Sequence, residues 1–264
     1  MIPLETTVYR AALGLQFIDS VGGTSVADGL VVTAWPAGAP WDTLTAAQSP
    51  ISTIMGFGRL PGLASYESAT TQDPETFTWS PPETGRPFEV RVTDPFGRYL
   101  PELISVTVPR STLATPLLFS APARPAPSGF AAVGGEVSTD TSEPAAWATV
   151  QIKSGSDTYL TLADQLGRYT TYFPYPEALP PLTGSPPDGS QPGQLTWPLT
   201  VTVNYQPSAQ NQLTDAAAGD PPELGSLLGQ ATAAISAGGG QQSSLAATLT
   251  FGARLLLMLQ VVPA

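Results

Sequence analysis

Asp140, Thr141 and Ser142 form an acid–hydroxyl tripeptide of the kind used in paired-aspartate peptide hydrolysis. That chemistry needs two aspartates sharing one proton. Asp19 with Ser20 is the only faint second copy, so an exposed acidic loop is the simpler expectation. Glycoside hydrolysis asks only for two carboxylates roughly 5 to 10 Å apart. Yet Asp19, Asp28, Asp94, Asp164 and Asp188 all stand in turn contexts, where such a side chain ordinarily caps its own backbone. Lys153, the single lysine, could activate a serine, but the alternation around it points it outward at a strand end. The densest acidic group, Glu136, Asp140 and Glu143, lacks the spacing of a calcium loop. The five tryptophans, Trp35, Trp41, Trp79, Trp147 and Trp197, could form a sugar-stacking platform, but Trp35 and Trp147 lie on strand segments and belong with cores. Trp41 and Trp79 lie in a long irregular stretch and are the better candidates for contact with a sugar or a protein.

Composition narrows the chemistry further. The chain of 264 residues has no cysteine and no histidine. That removes disulfides, thiolate nucleophiles, His-assisted nucleophilic catalysis and the ordinary zinc, copper and haem ligand sets. The formal charge is −11, from 21 acids against 10 cations, so a phosphate backbone or an anionic lipid surface would repel it. Only 12% of residues are charged, which leaves surface polarity to Thr, Ser, Gln, Pro and Gly, as in β-rich assembly modules.

The elements that must position these residues carry a repeat. Asp94 to Tyr99 (DPFGRY) returns as Asp164 to Tyr169 (DQLGRY). Each copy predicts a type I turn followed by a left-handed glycine, a three-residue hairpin, with Arg98 and Arg168 packing their stems on a neighbouring aromatic. Strands are predicted where apolar residues alternate: Tyr9 to Phe17, Leu30 to Trp35, Phe88 to Thr93, Ile104 to Val108, Phe130 to Val137, Trp147 to Lys153, Tyr159 to Leu162, Tyr169 to Tyr172 and Leu199 to Tyr205. Glu223 to Ile235 predicts a short helix, and Leu245 to Val262 a strand or core helix, the strand being favoured by Thr248, Thr250 and Phe251. Residues 36–87 form a long insertion whose apolar island, Ile51 to Leu63, must fold back onto a body or a partner. Residues 111–128, with Pro116, Pro122, Pro125 and Pro127, predict a stiff extended connector.

With Gly135 to Val137, Pro144 to Ala148, Val150 to Lys153 and the Asp164 to Tyr169 turn, residues 129–176 resemble the carboxypeptidase regulatory-like domain, a small transthyretin-like β-sandwich. Residues 13–35 and 88–109 look like a diverged copy, with the insertion separating strands that such domains keep as neighbours. More weakly, phrases such as DGLVVTAWP, VTDPFGRYLP and LFSAPARPAPSGF are similar to accessory proteins of phage-tail-like contractile injection systems. That resemblance implies a non-catalytic particle component.

The expected fold is therefore all-β: two immunoglobulin-like or transthyretin-like sandwiches, residues 1–110 and 129–264, joined by the 111–128 connector, with an irregular segment at 206–244 and a closing C-terminal strand. The expected role is a non-enzymatic docking subunit of a multiprotein particle; a carbohydrate-binding accessory module is the alternative. Contacts are expected from the long loops 36–87, 174–197 and 206–244, with Trp41, Ile54, Met55, Phe57, Leu60 and Trp79 as the partner-binding candidates. Other protein subunits are the expected partners; no cofactor, nucleic acid, membrane insertion or small-molecule substrate is expected. The start MIPLETTVYRAALGL lacks a basic segment ahead of an apolar run, so the expected location is the cytoplasm, within an assembled particle.

Overall fold

The computed structural model describes residues 11–49, 52–57, 60, 85–110, 112–176, 195–237 and 240–264. Over these residues the chain is all-β with one short helix, and its strands surround two large apolar cores.

The first body contains β1 (Leu13–Leu15), β2 (Phe17–Asp19), β3 (Ser25–Val26), β4 (Val31–Pro36), β5 (Leu44–Thr45), β6 (Ala47–Gln48), β7 (Met55–Phe57), β8 (Arg86–Thr93), β9 (Glu102–Val108) and β10 (Leu117–Leu118). One sheet runs β5-β4-β8-β9, and two smaller ones run β1-β7-β6 and β10-β2-β3. Of the predicted first strand, Tyr9 lies outside the described residues and Ala11 is exposed, and the alternation holds from Leu13, with Leu13, Leu15 and Phe17 buried. It is nevertheless split at Gln16, with β1 pairing β7 and β2 pairing β3 and β10. The Gln16 side-chain amide spans the break, donating to the hydroxyls of Ser25 at 2.9 Å and Thr53 at 3.1 Å. β4 pairs directly with β8, Val31 opposite Thr93 through to Pro36 opposite Phe88. The long insertion thus leaves these two strands neighbours in space.

The connector is extended, as its prolines require, and it is also bound. Ala114 bridges Leu15, β10 lies parallel to β2, and Ser120 bridges Tyr99. Leu118, Phe119 and Ser120 are buried. The apolar trio Leu117, Leu118 and Phe119 amid the prolines is the sequence signal for that attachment.

The second body contains β11 (Phe130–Thr139), β12 (Thr149–Ser154), β13 (Asp157–Leu162), β14 (Arg168–Pro174), β15 (Thr196–Asn204), α1 (Leu224–Leu228), β16 (Ala234–Ala237), β17 (Gly240–Gln242), β18 (Leu245–Thr250) and β19 (Arg254–Val262). It is a sandwich of two sheets, β14-β11-β19-β16-β17 against β13-β12-β15-β18. The predicted C-terminal segment is two strands, one in each sheet, separated by a turn at Gly252 with φ +72°. β19 runs parallel to β11, and their close approach requires glycine at 135, where a Cβ would stand 1.8 Å from the Leu257 carbonyl oxygen.

The predicted helix over 223–235 is shorter and gives way to strand. α1 is capped by the Glu223 carboxylate, which accepts the Ser226 N–H at 2.8 Å, and it stops at Gly229. Ile235 belongs to β16 and the second core. Gly225 and Gly229 weaken helix propensity inside the predicted span, and pairing with β19 captures the rest.

Candidate functional site

The two repeated turns are built alike. The Asp94 carboxylate accepts backbone N–H groups of Phe96 and Arg98 and the Arg98 guanidinium, at 2.8 to 3.2 Å. Asp164 does the same for Leu166, Arg168 and the Arg168 guanidinium, at 2.8 to 3.0 Å. Gly97 and Gly167 take the left-handed conformation, with φ +66° and +74°. Arg98 also lies over the rings of Phe96 and Tyr99, as its stem was expected to do, but in both copies the salt bridge to the turn's own aspartate is the shared contact. An arginine held by three bonds to one aspartate, with Arg98 donating also to the Asp28 carbonyl at 2.6 Å, is a structural clamp.

From the first turn the chain leads to a junction between the bodies. The Tyr99 hydroxyl donates to Asp19 at 3.2 Å, and Asp19 is gripped by the Arg124 guanidinium from the connector at 2.6 and 3.0 Å. Burial alone would raise the Asp19 pKa, but the bonds from Arg124 and the Val21 N–H hold the carboxyl below the ordinary aspartate range. Below this network a third apolar cluster joins both bodies: Leu100 and Phe119 from one side, Trp147, Leu162, Leu224 and Leu227 from the other. Trp147, expected on a strand, has φ +61° and departs from it, which places its ring in this cluster.

The 206–230 loop is committed to the same junction. Asp220 pairs with Arg91 of β8, the Gly38 N–H donates to Asp215, and Leu103 bridges Glu223 at the cap of α1. Gln230 ties the far side, donating to the carbonyls of Trp147 at 2.9 Å and Leu227 at 3.0 Å. Residues 206–230, expected to contact a partner, are engaged within the chain, because a second body supplies the surface that a lone sandwich lacks.

The partner-binding candidates divide by exposure. Met55, Phe57 and Leu60 are buried in the first core, with β7 paired to β1, and Ile54 is half-buried with its side chain beside Gly14. The described part of the apolar island, 52–57 and 60, therefore completes the chain's own body. Trp41, in a single turn over Pro40–Asp42, is 78% exposed; Trp79 lies outside the described residues. A surface that alternation alone did not single out is the outer face of β19, where Leu256 and Met258 are 65% and 71% exposed beside Gly134 and Glu136 of β11.

The other chemical candidates do not converge. Asp140 to Ser142 make a tight turn at the end of β11, closed by the Ser142 N–H on the Thr139 carbonyl at 3.0 Å, while Asp19 is locked to Arg124 in the other body. Lys153 is exposed on β12. Trp35 is core, its indole N–H donating to Glu89 at 2.9 Å. Among the described residues no three acids gather in a metal-binding group. A cleft of about 510 Å³ between the connector and β14 is lined by Arg124, Phe130, Tyr172, Tyr175 and Arg254 among others, with no carboxylate in its wall. Among the described residues no helix is long and apolar enough to cross a membrane.

No family model matches the chain, and no curated protein matches it. Solved structures that are similar include the Bacillus anthracis TIE protein, at 10% identity and TM-score 0.27 over 95% of this chain and 34% of that one. They also include the shaft pilin SpaA from Lactobacillus rhamnosus GG, at 9% identity and TM-score 0.25 over 96% and 97% of the two chains. A streptococcal ancillary pilin is similar at 11% identity and TM-score 0.21 over 96% and 63%. The chain spans about a third of the length of the TIE protein it matches. With TM-scores at this level the likeness carries no argument about the role of this chain.

Proposed function

We propose that the chain is a non-enzymatic structural subunit of a multiprotein particle, of the phage-tail-like contractile injection kind, in which two sandwiches act as one rigid spacer with docking surfaces on the outside. The observation that carries this reading is the junction. A connector, a long loop and a helix together fix one body against the other: the Asp19–Arg124 salt bridge anchors the connector on the first body, and the Leu100, Phe119, Trp147, Leu224 cluster spans both. A spacer needs a fixed angle between its halves, and buried apolar contact with a desolvated ion pair supplies one. Trp41 and the Leu256 and Met258 strip are the docking candidates, since large exposed apolar side chains mark contact surfaces.

The test is incorporation. Trp41→Ala and Met258→Asp variants, which alter only exposed side chains, should fold normally yet fail to copurify with the sheath, tube and baseplate proteins of such a particle. Normal incorporation of both variants would refute the docking role. Trp41 exposure also suits sugar stacking, so glycan-array binding that disappears in Trp41→Ala would favour the carbohydrate-binding module instead.

A further inference from the structure

Glu102 opens β9 on the face that carries Val106 and Val108 into the first core, and it is 1% exposed. One carboxyl oxygen accepts the Phe119 N–H of the connector at 3.2 Å, while the other has no hydrogen-bond partner. The next residue, Leu103, is fully buried and its backbone forms a β-bridge with Glu223 at the cap of α1. The carboxyl thus lies where the connector crosses the end of the first core, one peptide away from the helix that the second body contributes.

Charged groups on the elements around it are already committed. Arg91 of β8 holds Asp220, and Glu89 accepts the Trp35 indole N–H. Arg98 of the turn holds Asp94, Arg124 of the connector holds Asp19, and Glu223 of the helix cap accepts the Ser226 N–H. Burial therefore dominates Glu102 and pushes its pKa up to about 8, offset only in part by the Phe119 N–H. A neutral carboxyl tolerates this site; a carboxylate with a single donor and no counter-charge does not.

We infer that Glu102 makes docking of the two bodies conditional on a proton: the neutral carboxyl keeps the Phe119 segment seated on β9, and loss of the proton drives the connector off so that water reaches the carboxylate. Phe119 then leaves the apolar cluster it shares with Trp147, Leu224 and Leu227. The closed junction binds the proton more tightly than the open one, so its advantage is complete below the ordinary glutamate value of 4.5 and is lost as the pH rises through about 8. Across that window the bias toward opening grows about tenfold per pH unit, to a total on the order of a thousandfold. This device rests on the junction geometry and not on the particle role.

The chain has no cysteine, so dyes on Thr45→Cys and Lys153→Cys, both exposed positions, report the distance between bodies by energy transfer. The urea concentration at which transfer is lost should fall steadily from pH 5 to pH 8 and level off above it. With Glu102→Gln, and with the apolar Glu102→Met in case the amide is poorly accommodated, that slope should vanish. Equal slopes in the parent and both variants, or a flat profile in the parent, would overturn the inference. Low transfer at pH 5 without urea would instead overturn the docked junction itself.

Discussion

In both Asp-x-x-Gly-Arg-Tyr turns the aspartate caps the backbone and clamps its arginine, yet the tyrosine that follows goes to different places. Tyr99 reaches out to Asp19 and so joins the Arg124 network between the bodies. Tyr169 points into the second core, where burial raises its hydroxyl pKa and leaves that hydroxyl with no partner. The glycines differ in the same sense: a Cβ at Gly97 would meet nothing within 4 Å, whereas at Gly167 it would stand 2.3 Å from the Val137 carbonyl oxygen. A local motif fixes its own turn; the surroundings decide whether the turn faces a core or a neighbour.

The largest effect should come from the network only the first copy joins. Arg124→Ala strands Asp19 as a buried unpaired charge and should cost about 3 to 5 kcal/mol, measured by urea denaturation, with the first body and the junction failing together. Next, Gly167→Ala should cost about 2 to 4 kcal/mol, from the left-handed backbone plus the clash with Val137. Gly97→Ala, strained only in its backbone, should cost about 1 kcal/mol. Equal losses from the two glycine changes would break the comparison. Tyr99→Phe should then lose about 1 kcal/mol for its bond to Asp19, while Tyr169→Phe should be neutral or slightly stabilising, because it removes an orphaned hydroxyl.

The smallest effect is on acid stability. Burial raises the Asp94 pKa, but the Arg98 side chain and the backbone N–H groups more than offset it and hold the carboxyl below its ordinary range. Its contribution is present above the unfolded value and lost as the pH falls through the folded one. Thermal melts of Asp94→Asn below about pH 4 should therefore converge toward the parent, from a clear deficit at neutral pH.

Strands such as Phe88 to Thr93, Ile104 to Val108 and Leu199 to Tyr205 were legible because one face of each is buried, and period-two alternation reports that directly. So were the twin turns, whose chemistry is local. The expected stem packing of Arg98 was visible in the same way; its clamp on Asp94 needed the folded turn. Less was legible where a contact joins distant residues. Arg124 and Asp19 are 105 positions apart, and no spacing rule links a connector arginine to a strand-end aspartate. Met55, Phe57 and Leu60 stood out as an apolar island, but a partner and the chain's own core leave the same imprint on sequence. Residues 223–235 gave a helical pattern that two glycines and the β19 edge resolved into a five-residue helix and the start of a strand. Deleting 41–80 would consequently remove core residues, which makes Trp41→Ala the cleaner probe of docking. Glu102 was hidden by its own strand, because a single acid at the start of an alternating run reads as exposed.

The most direct test of a rigid two-body unit is an interbody distance distribution, measured by electron–electron resonance between spin labels on Thr45→Cys and Lys153→Cys at about pH 6. A single narrow distance that broadens in Arg124→Ala is the predicted result. A broad distribution in the parent protein would mean that the connector is a free tether and would contradict the account.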